Sequence, residues 1–137
     1  MLAAMEPSVA AAAVVVGDDG RVVLIQRGRP PAVGTWTLPG GRVRGGEPIV
    51  DAVLREIREE TGLVVRVGPL VEVVELISER HHYVVHDHLA RVVSGTLVAG
   101  DDAADARWVS VDELAEFSPT DAVVRVIHAA LALARAK

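Results

Sequence analysis

The sequence predicts one domain of the α/β (α+β) class, in which strands and two main helices alternate along 137 residues. Three observations lead to this prediction: a hairpin pattern at the start, a long helix pattern followed by strand-type segments in the middle, and a second helix pattern at the end. A chain of this length can bury a sizeable core. We therefore expect a single domain over residues 1–137, with residues 1–7 as a frayed N-terminal extension.

The composition narrows the classes of function. The net charge of −5 argues against a nucleic-acid polymer as partner, because such binders present a basic face. The chain has no cysteine, which excludes disulfides, thiol catalysis and cysteine-ligated zinc. The apolar N-terminal segment does not begin with basic residues and is interrupted by Glu6 and Pro7, so it is a poor signal peptide. It is also too short to span a bilayer. We expect a cytoplasmic protein without a membrane partner.

The first elements form a hairpin. The nearly continuous apolar run of valines and alanines at 9–16 predicts a strand buried on both faces, 17–20 predicts a turn, and 22–27 predicts the returning strand. The two prolines at 30–31 end that strand, and 34–41 is expected as a short extended segment.

The middle of the chain predicts a helix over 48–61. Pro48 suits the first helical turn, and Gly62 suits the position just past the end. At about 100° per residue, the apolar stripe of this helix consists of Ile49, Ala52, Val53 and Ile57. This stripe predicts that the helix packs on the sheet.

Three carboxylates continue the same helix face. Glu56 and Glu60 share the azimuth of the apolar stripe, and Glu59 lies on its flank. Like charges aimed inward repel each other and lose hydration, and glutamates near a helix C-terminus oppose the macrodipole. Arg55 and Arg58 are expected off this face, so a hard cation such as Mg²⁺ or Mn²⁺ would be the compensation. The alternative is a solvated acidic helix end.

The second half of the chain predicts further strands and a terminal helix. The expected strands are 64–77 with a turn at Gly68–Pro69, a long strand over 83–93, a short strand over 95–98, and a strand over 106–109 after an acidic loop at 100–105. Ser110 is expected to cap a short helix that begins at 111–114, and 120–135 is expected to be a helix that packs on the sheet. On the long strand, His82, His86 and His88 share one face, and Tyr83, Val85, Asp87 and Leu89 share the other. Two strand histidines two residues apart could hold zinc, but such a site is disfavoured because no cysteine or third clustered ligand accompanies them. The histidine face is expected to be wet or to line the substrate.

The helix and the glycines before it carry a recognisable signature. It consists of Gly41, Glu47, Arg55, Glu56, Ile57, Glu59, Glu60, Gly62 and Leu63 at fixed spacing. This pattern resembles the Nudix hydrolase signature position for position, covers about a sixth of the chain, and is accompanied by family-like flanks around Trp36 and Trp108. The resemblance implies the Nudix α/β/α sandwich, a mixed sheet between helices that carries a loop-helix-loop motif.

The resemblance also implies a reaction and its residues. Nudix hydrolases cleave the pyrophosphate of a nucleoside diphosphate linked to another group, with Mg²⁺ or Mn²⁺ bound by the glutamates of the motif. The implied metal ligands are Glu56, Glu59, Glu60 (the most central), the carbonyl of Gly40, and Asp102. Glu47 and Arg55 would form a bidentate pair that positions the glutamates. The general base stays open between a glutamate of the motif and the late loop, where Asp102 and then Asp101 are candidates and Glu79 is the rival.

The substrate-binding candidates are Arg27, Arg29, Trp36, His81 and Tyr83. For Trp36 a place in the core is favoured over a nucleobase platform, and the alternative for the arginines is ordinary surface charge. The late GDDAADARWV loop resembles that of small members that cleave ADP-ribose, so ADP-ribose or a related nucleoside diphosphate sugar is the favoured substrate. The alternatives are a nucleoside triphosphate pyrophosphohydrolase and a non-catalytic nucleotide sensor. The expected partner is a small nucleotide, and a homodimer is a further expectation.

Overall fold

The computed structural model describes residues 5–30, 32–100 and 102–136 of the chain. Within these ranges the strands are β1 (Ser8–Val16), β2 (Val22–Arg27), β3 (Trp36–Thr37), β4 (Gly40–Arg42), β5 (Val64–Ile77), β6 (His82–Ser94) and β7 (Ala103–Val109). The helices are α1 (Ile49–Thr61), α2 (Leu114–Phe117) and α3 (Asp121–Arg135), with a 3₁₀ turn at Val111–Glu113. The strands form one mixed sheet in the order β3-β2-β1-β6-β5, with β4 added beside β1 and β7 beside β2.

The central strand β1 organises this sheet. It runs parallel to β6 along its whole length, and its first half pairs antiparallel with β4. The residues from Ala10 to Val16 are all buried, because one face is covered by α1 and the other by α3. The prediction of a strand buried on both faces is confirmed.

Two core clusters lie on the two faces of the sheet. The α1 side contains Ala52, Val53 and Ile57, as the stripe on the helix predicts, and the α3 side contains Val126 and Ile127. The α1 helix follows Pro48 and ends at Gly62, which has the left-handed backbone (φ 73°) that glycine adopts without strain.

Three predictions about the second half are wrong. Gly68–Pro69 is not a turn: β5 is continuous and bulges there, and Gly68 packs closely on the carbonyl of Leu89. No strand forms over 95–98, because the amide of Val98 donates to the carbonyl of Thr61 instead. The predicted acidic loop ends earlier, since β7 begins at Ala103, which pairs with Arg27.

Some predictions lie outside the described residues. They concern residues 1–4 of the expected N-terminal extension, Pro31 in the segment that ends β2, and Asp101 as a candidate base. Among the described helices, none combines the length and the apolar character that a membrane span requires.

A buried carboxyl group on β6 predicts how stability depends on pH. Burial, and next the charge of Glu72, raise the pKa of Asp87 from 3.8 to about 7. The folded state therefore keeps a proton that the unfolded state releases, and the free energy of unfolding falls as the pH rises from about 4 to 7. We expect Asp87→Asn to stabilise the protein above pH 7 by up to about 4 kcal/mol and to change little at pH 4. Denaturant unfolding at both pH values checks this, and an equal effect at both would contradict it.

Candidate active site

Glu60 is the most buried carboxylate of the predicted site. The residue is 8% exposed, and one of its oxygens accepts a hydrogen bond of 2.7 Å from the backbone amide of Gly40. Helix α1 supplies the glutamate and β4 supplies the amide, so the contact joins the helix to the centre of the sheet. The expectation that Glu60 is the most central of the three glutamates agrees with this burial.

The charges around Glu60 define which groups share the site. The pKa of Glu60 is raised to about 7, mainly by burial and in part by the negative charges of Glu56 and Asp102. The hydrogen bond from Gly40 and the positive charge of Arg27 act in the opposite direction. Arg27 at the end of β2 and Asp102 before β7 therefore lie within electrostatic range of the glutamate, although they are far from it in sequence.

Arg55 lies at the centre of the glutamates, although its position on the helix predicts a place off their face. Its guanidinium donates two hydrogen bonds to Glu47, at 2.8 and 2.9 Å, and one each to Glu56 at 2.7 Å and Glu59 at 3.3 Å. It also donates to the backbone carbonyl of Arg42 at 3.0 Å. The azimuth of the Cα atom misleads here, because a long side chain can reach back over its neighbours. The predicted bidentate pair of Glu47 and Arg55 is present.

These contacts set the protonation of the carboxylates. Hydrogen bonds from Arg55, and then from the amide of Arg44, lower the pKa of Glu47 to about 2, so this carboxylate is always charged near neutral pH. Burial raises the pKa of Glu56, and the guanidinium of Arg55 partly opposes that rise. The site thus combines the firmly ionised carboxylate of Glu47 with a half-buried one, Glu56, and a buried one, Glu60, and burial raises the pKa of the latter two.

The glycines of β4 leave the room that these side chains fill. A Cβ atom at Gly40 would overlap the backbone of β1, and one at Gly41 would lie 2.5 Å from the carboxylate of Glu56. Small residues are therefore required wherever the glutamates and the central strand approach each other.

The close approach of Gly41 to Glu56 predicts how a larger residue at position 41 affects activity. We expect Gly41→Ala to lower kcat about tenfold or more, because the carboxylate of Glu56 must move while Arg55 still holds it. The melting temperature should change little, because the new methyl group displaces only the end of the Glu56 side chain and no backbone atom. Gly45→Ala is the matched control, because a Cβ atom there would meet nothing within 4 Å. Equal activity of the two variants would contradict the prediction.

The remaining candidate residues lie around this centre. Arg29 forms an exposed ion pair of 3.0 Å with Asp102. Trp36 is half-buried, with its ring edge-to-face with Phe117 at 4.9 Å, in agreement with the favoured place in the core. The rings of His81 and Tyr83 are stacked at 5.2 Å.

Two arginines of the site were not among the predicted residues. The guanidinium of Arg42 lies 5.8 Å from the centre of the Tyr83 ring, and Arg44 lies 3.9 Å from Glu59. Arg42 directly follows Gly40 and Gly41, and Arg44 comes two residues later; this place after the two glycines is the signal that would have found them.

The donors of this site fit a hard divalent cation. The half-buried Glu56 and the buried Glu60 both have raised pKa values, and a bound cation would stabilise their charged forms. Among the described residues no three His, Asp or Glu side chains already converge as metal ligands, because Arg55 and the Gly40 amide engage the carboxylates. The metal ligands of the site therefore stay a prediction.

Comparison with known proteins decides the family. The family model for the NUDIX domain matches residues 6–129, which is most of the chain. The chain belongs to the Nudix family. Hydrolases of this family generally use divalent metal ions, in agreement with the donors of the site.

Several Nudix relatives carry names that describe an activity. An ADP-ribose pyrophosphatase of Methanocaldococcus jannaschii is 37% identical over 102 residues, which cover 73% of this chain and 60% of that protein. An 8-oxo-dGDP phosphatase of Mus musculus is 37% identical over 91 residues, 66% of this chain and 27% of its own length. A CTP pyrophosphohydrolase of Escherichia coli is 30% identical over 128 residues, which cover 91% of this chain and 93% of that protein. The chain thus spans only part of the first two.

Solved Nudix structures share the architecture. A MutT NUDIX hydrolase from Burkholderia pseudomallei superposes with a TM-score of 0.79 at 34% identity, covering 90% of this chain and 98% of that one. The predicted mixed sheet between helices is therefore confirmed, both in the structure and in its relatives.

Proposed function

We propose that the protein hydrolyses the pyrophosphate bond of a nucleoside diphosphate linked to another moiety, with ADP-ribose or a related nucleoside diphosphate sugar as favoured substrate. The observation that carries this proposal is the set of buried and half-buried glutamates held between Arg55 and the amide of Gly40. Carboxylates in such a place are suited to binding a cation beside an anionic substrate, because the cation would stabilise their charged forms.

Each residue then has a separate task. Glu56, Glu59 and Glu60 would hold Mg²⁺ or Mn²⁺, and such an ion would neutralise the phosphates and lower the pKa of an attacking water. Arg55 fixes the orientation of Glu56 and Glu59, and its own position is fixed by Glu47.

The outer groups of the site bind phosphate and accept a proton. Arg27 is the candidate for phosphate binding, because its charge already acts at Glu60. The proton of the water passes to a carboxylate, either a glutamate of α1 or Asp102, whose charge also reaches Glu60.

Relatives support two substrate classes. The similarity to an ADP-ribose pyrophosphatase over 73% of the chain supports the nucleoside diphosphate sugar. The similarity to a CTP pyrophosphohydrolase, which this chain matches over almost its full length, supports a nucleoside triphosphate as the second candidate. Both reactions break the same type of anhydride bond and need the same charged centre.

A hydrolysis screen tests the proposal. The purified protein is given Mg²⁺ or Mn²⁺ and offered ADP-ribose, nucleotide sugars, dinucleoside polyphosphates and nucleoside triphosphates, and the products are separated by chromatography. AMP from ADP-ribose that disappears with EDTA is the expected result. Pyrophosphate from a triphosphate would move the substrate to the second candidate. Tight nucleotide binding without any hydrolysis would contradict the proposal and indicate a sensor.

A further inference from the structure

Asp87 is a buried carboxyl group that the proposed mechanism does not use. The residue is 5% exposed, and its side chain forms no hydrogen bond or ion pair with any residue in the described part of the chain. The charge that acts on it is that of Glu72, an anion that is itself paired with Arg125 at 2.6 Å. A buried carboxyl group without a donor costs free energy, so packing alone gives no reason for its presence.

The oxygens of this carboxyl group are not sealed inside the protein. Among the described residues 5–30, 32–100 and 102–136, one side-chain nitrogen or oxygen is both inaccessible to solvent and without a hydrogen-bond partner. This atom is Nδ1 of His86, and neither oxygen of Asp87 is such an atom. The oxygens of Asp87 therefore keep part of the small accessible surface of the residue. A ligand that offers an N–H group can reach them.

The position of Asp87 relates it to the active site. Gly40 on β4 lies opposite Ala12 on β1, and Ala12 lies opposite Asp87 on β6. Neighbouring strands are about 4.8 Å apart, so Asp87 lies two strands, or about 10 Å, from the glycine whose amide holds Glu60. A nucleotide whose phosphates lie near Gly40 has about this reach to the edge of its base.

The face of the sheet around Asp87 suits a flat ring. Ala12 belongs to the core cluster on the α3 side, so Asp87 lies on this face as well. The neighbours of Asp87 on this face are apolar: Val85 and Leu89 lie two residues away on β6, and Ala12 lies opposite on β1. Apolar surroundings with a single polar anchor are typical of sites that bind ring systems.

We propose that Asp87 binds the nucleobase of the substrate by accepting a hydrogen bond from an exocyclic amino group. Adenine, cytosine and guanine carry such a group, whereas hypoxanthine and uracil do not. This inference rests on the proposed function, because the phosphates must lie at Gly40 for the base to reach Asp87. It makes Asp87 a residue that determines substrate specificity.

Matched pairs of nucleotides test the inference. ADP against IDP, GDP against IDP and CDP against UDP differ in amino groups at the base edge. Binding is measured by isothermal titration calorimetry with Mg²⁺ present, and the contents of each titration are checked by chromatography so that turnover is detected. In at least one pair the unmodified protein should bind the amino-bearing base about tenfold or more tightly. Asp87→Ala should bring that ratio close to one.

Two further variants secure the interpretation. Asp87→Leu fills the same space with an apolar side chain, so it tests the inference even if Asp87→Ala does not fold. Asp112→Ala removes an exposed acid elsewhere and should leave the ratio unchanged. The inference is overturned if the unmodified protein shows no preference in any pair, or if the preference survives in both Asp87 variants.

The two proposals can fail separately. A base preference that depends on Asp87 in a protein that hydrolyses nothing would contradict the proposed function and keep the inference. Hydrolysis of a nucleoside diphosphate sugar without such a preference would support the proposed function and contradict the inference about Asp87.

Discussion

The double variant Glu59→Gln/Glu60→Gln is expected to lose hydrolysis by about a thousandfold or more while it stays folded. Both changes keep the shape of the side chain but remove the charge that a cation needs. The fold should be unchanged or more stable, because Glu60 is buried with a raised pKa and lies near the charges of Glu56 and Asp102. Chromatographic assays of product and thermal unfolding followed by circular dichroism measure the two effects.

Adding a metal ion shows whether this double variant has lost cation binding, apart from its loss of hydrolysis. A cation that binds only the folded state raises its melting temperature, so Mg²⁺ or Mn²⁺ should stabilise the unmodified protein and not the double variant. A matched control is Asp112→Asn/Glu116→Gln, which removes two exposed charges near α2. Retained hydrolysis in the Glu59 and Glu60 variant would contradict the assignment of these residues as metal ligands.

Replacing Arg55 by Ala is expected to lower kcat about a hundredfold and to destabilise the fold. Three carboxylates share its guanidinium, and without it they repel each other in a site from which water is largely excluded. The side chain of Arg55 keeps 18% exposure, so we expect a loss of about 2 kcal/mol, below the cost of breaking a fully buried pair. Kinetics and denaturant unfolding measure the two losses.

Two other substitutions on α1 sharpen this result. Arg55→Lys keeps the charge but cannot form the fork of two hydrogen bonds to Glu47, so its activity should fall between those of the Ala variant and the unmodified protein. Arg58→Ala removes an exposed arginine of the same helix and should change neither quantity greatly. If Arg58→Ala and Arg55→Ala behaved alike, the positioning role of Arg55 would be wrong.

The parts of the fold that the sequence predicts correctly are those with a local cause. The burial of β1 follows from its own unbroken apolar run, and the ends of α1 follow from Pro48 and Gly62. The segment 95–98 is different, because its amide at Val98 finds an acceptor in the last turn of α1. A strand pattern cannot reveal that competition, since the acceptor lies more than thirty residues away.

The same distinction applies to the site. The spacing of the signature identifies the glutamates and the pair of Glu47 and Arg55, because these residues sit on one helix and the loop before it. The wider role of Arg55 depends on how far its side chain reaches, and the isolation of Asp87 depends on neighbours from other strands. Neither property can be read from residue spacing.

The pairing of β4 with β1 has a consequence for motion. Gly40 and Gly41 look like loop residues in the sequence, yet they form a strand that pairs with the most buried strand of the sheet. Loops open by local fluctuations, whereas a segment paired with a central strand opens mainly when the whole domain unfolds, and the Gly40 amide is in addition bound to the buried carboxylate of Glu60. We therefore expect the amide of Gly40 to be among the slowest to exchange. The backbone that holds Glu60 would then be set during folding, leaving side chains and substrate to supply the movement that turnover requires.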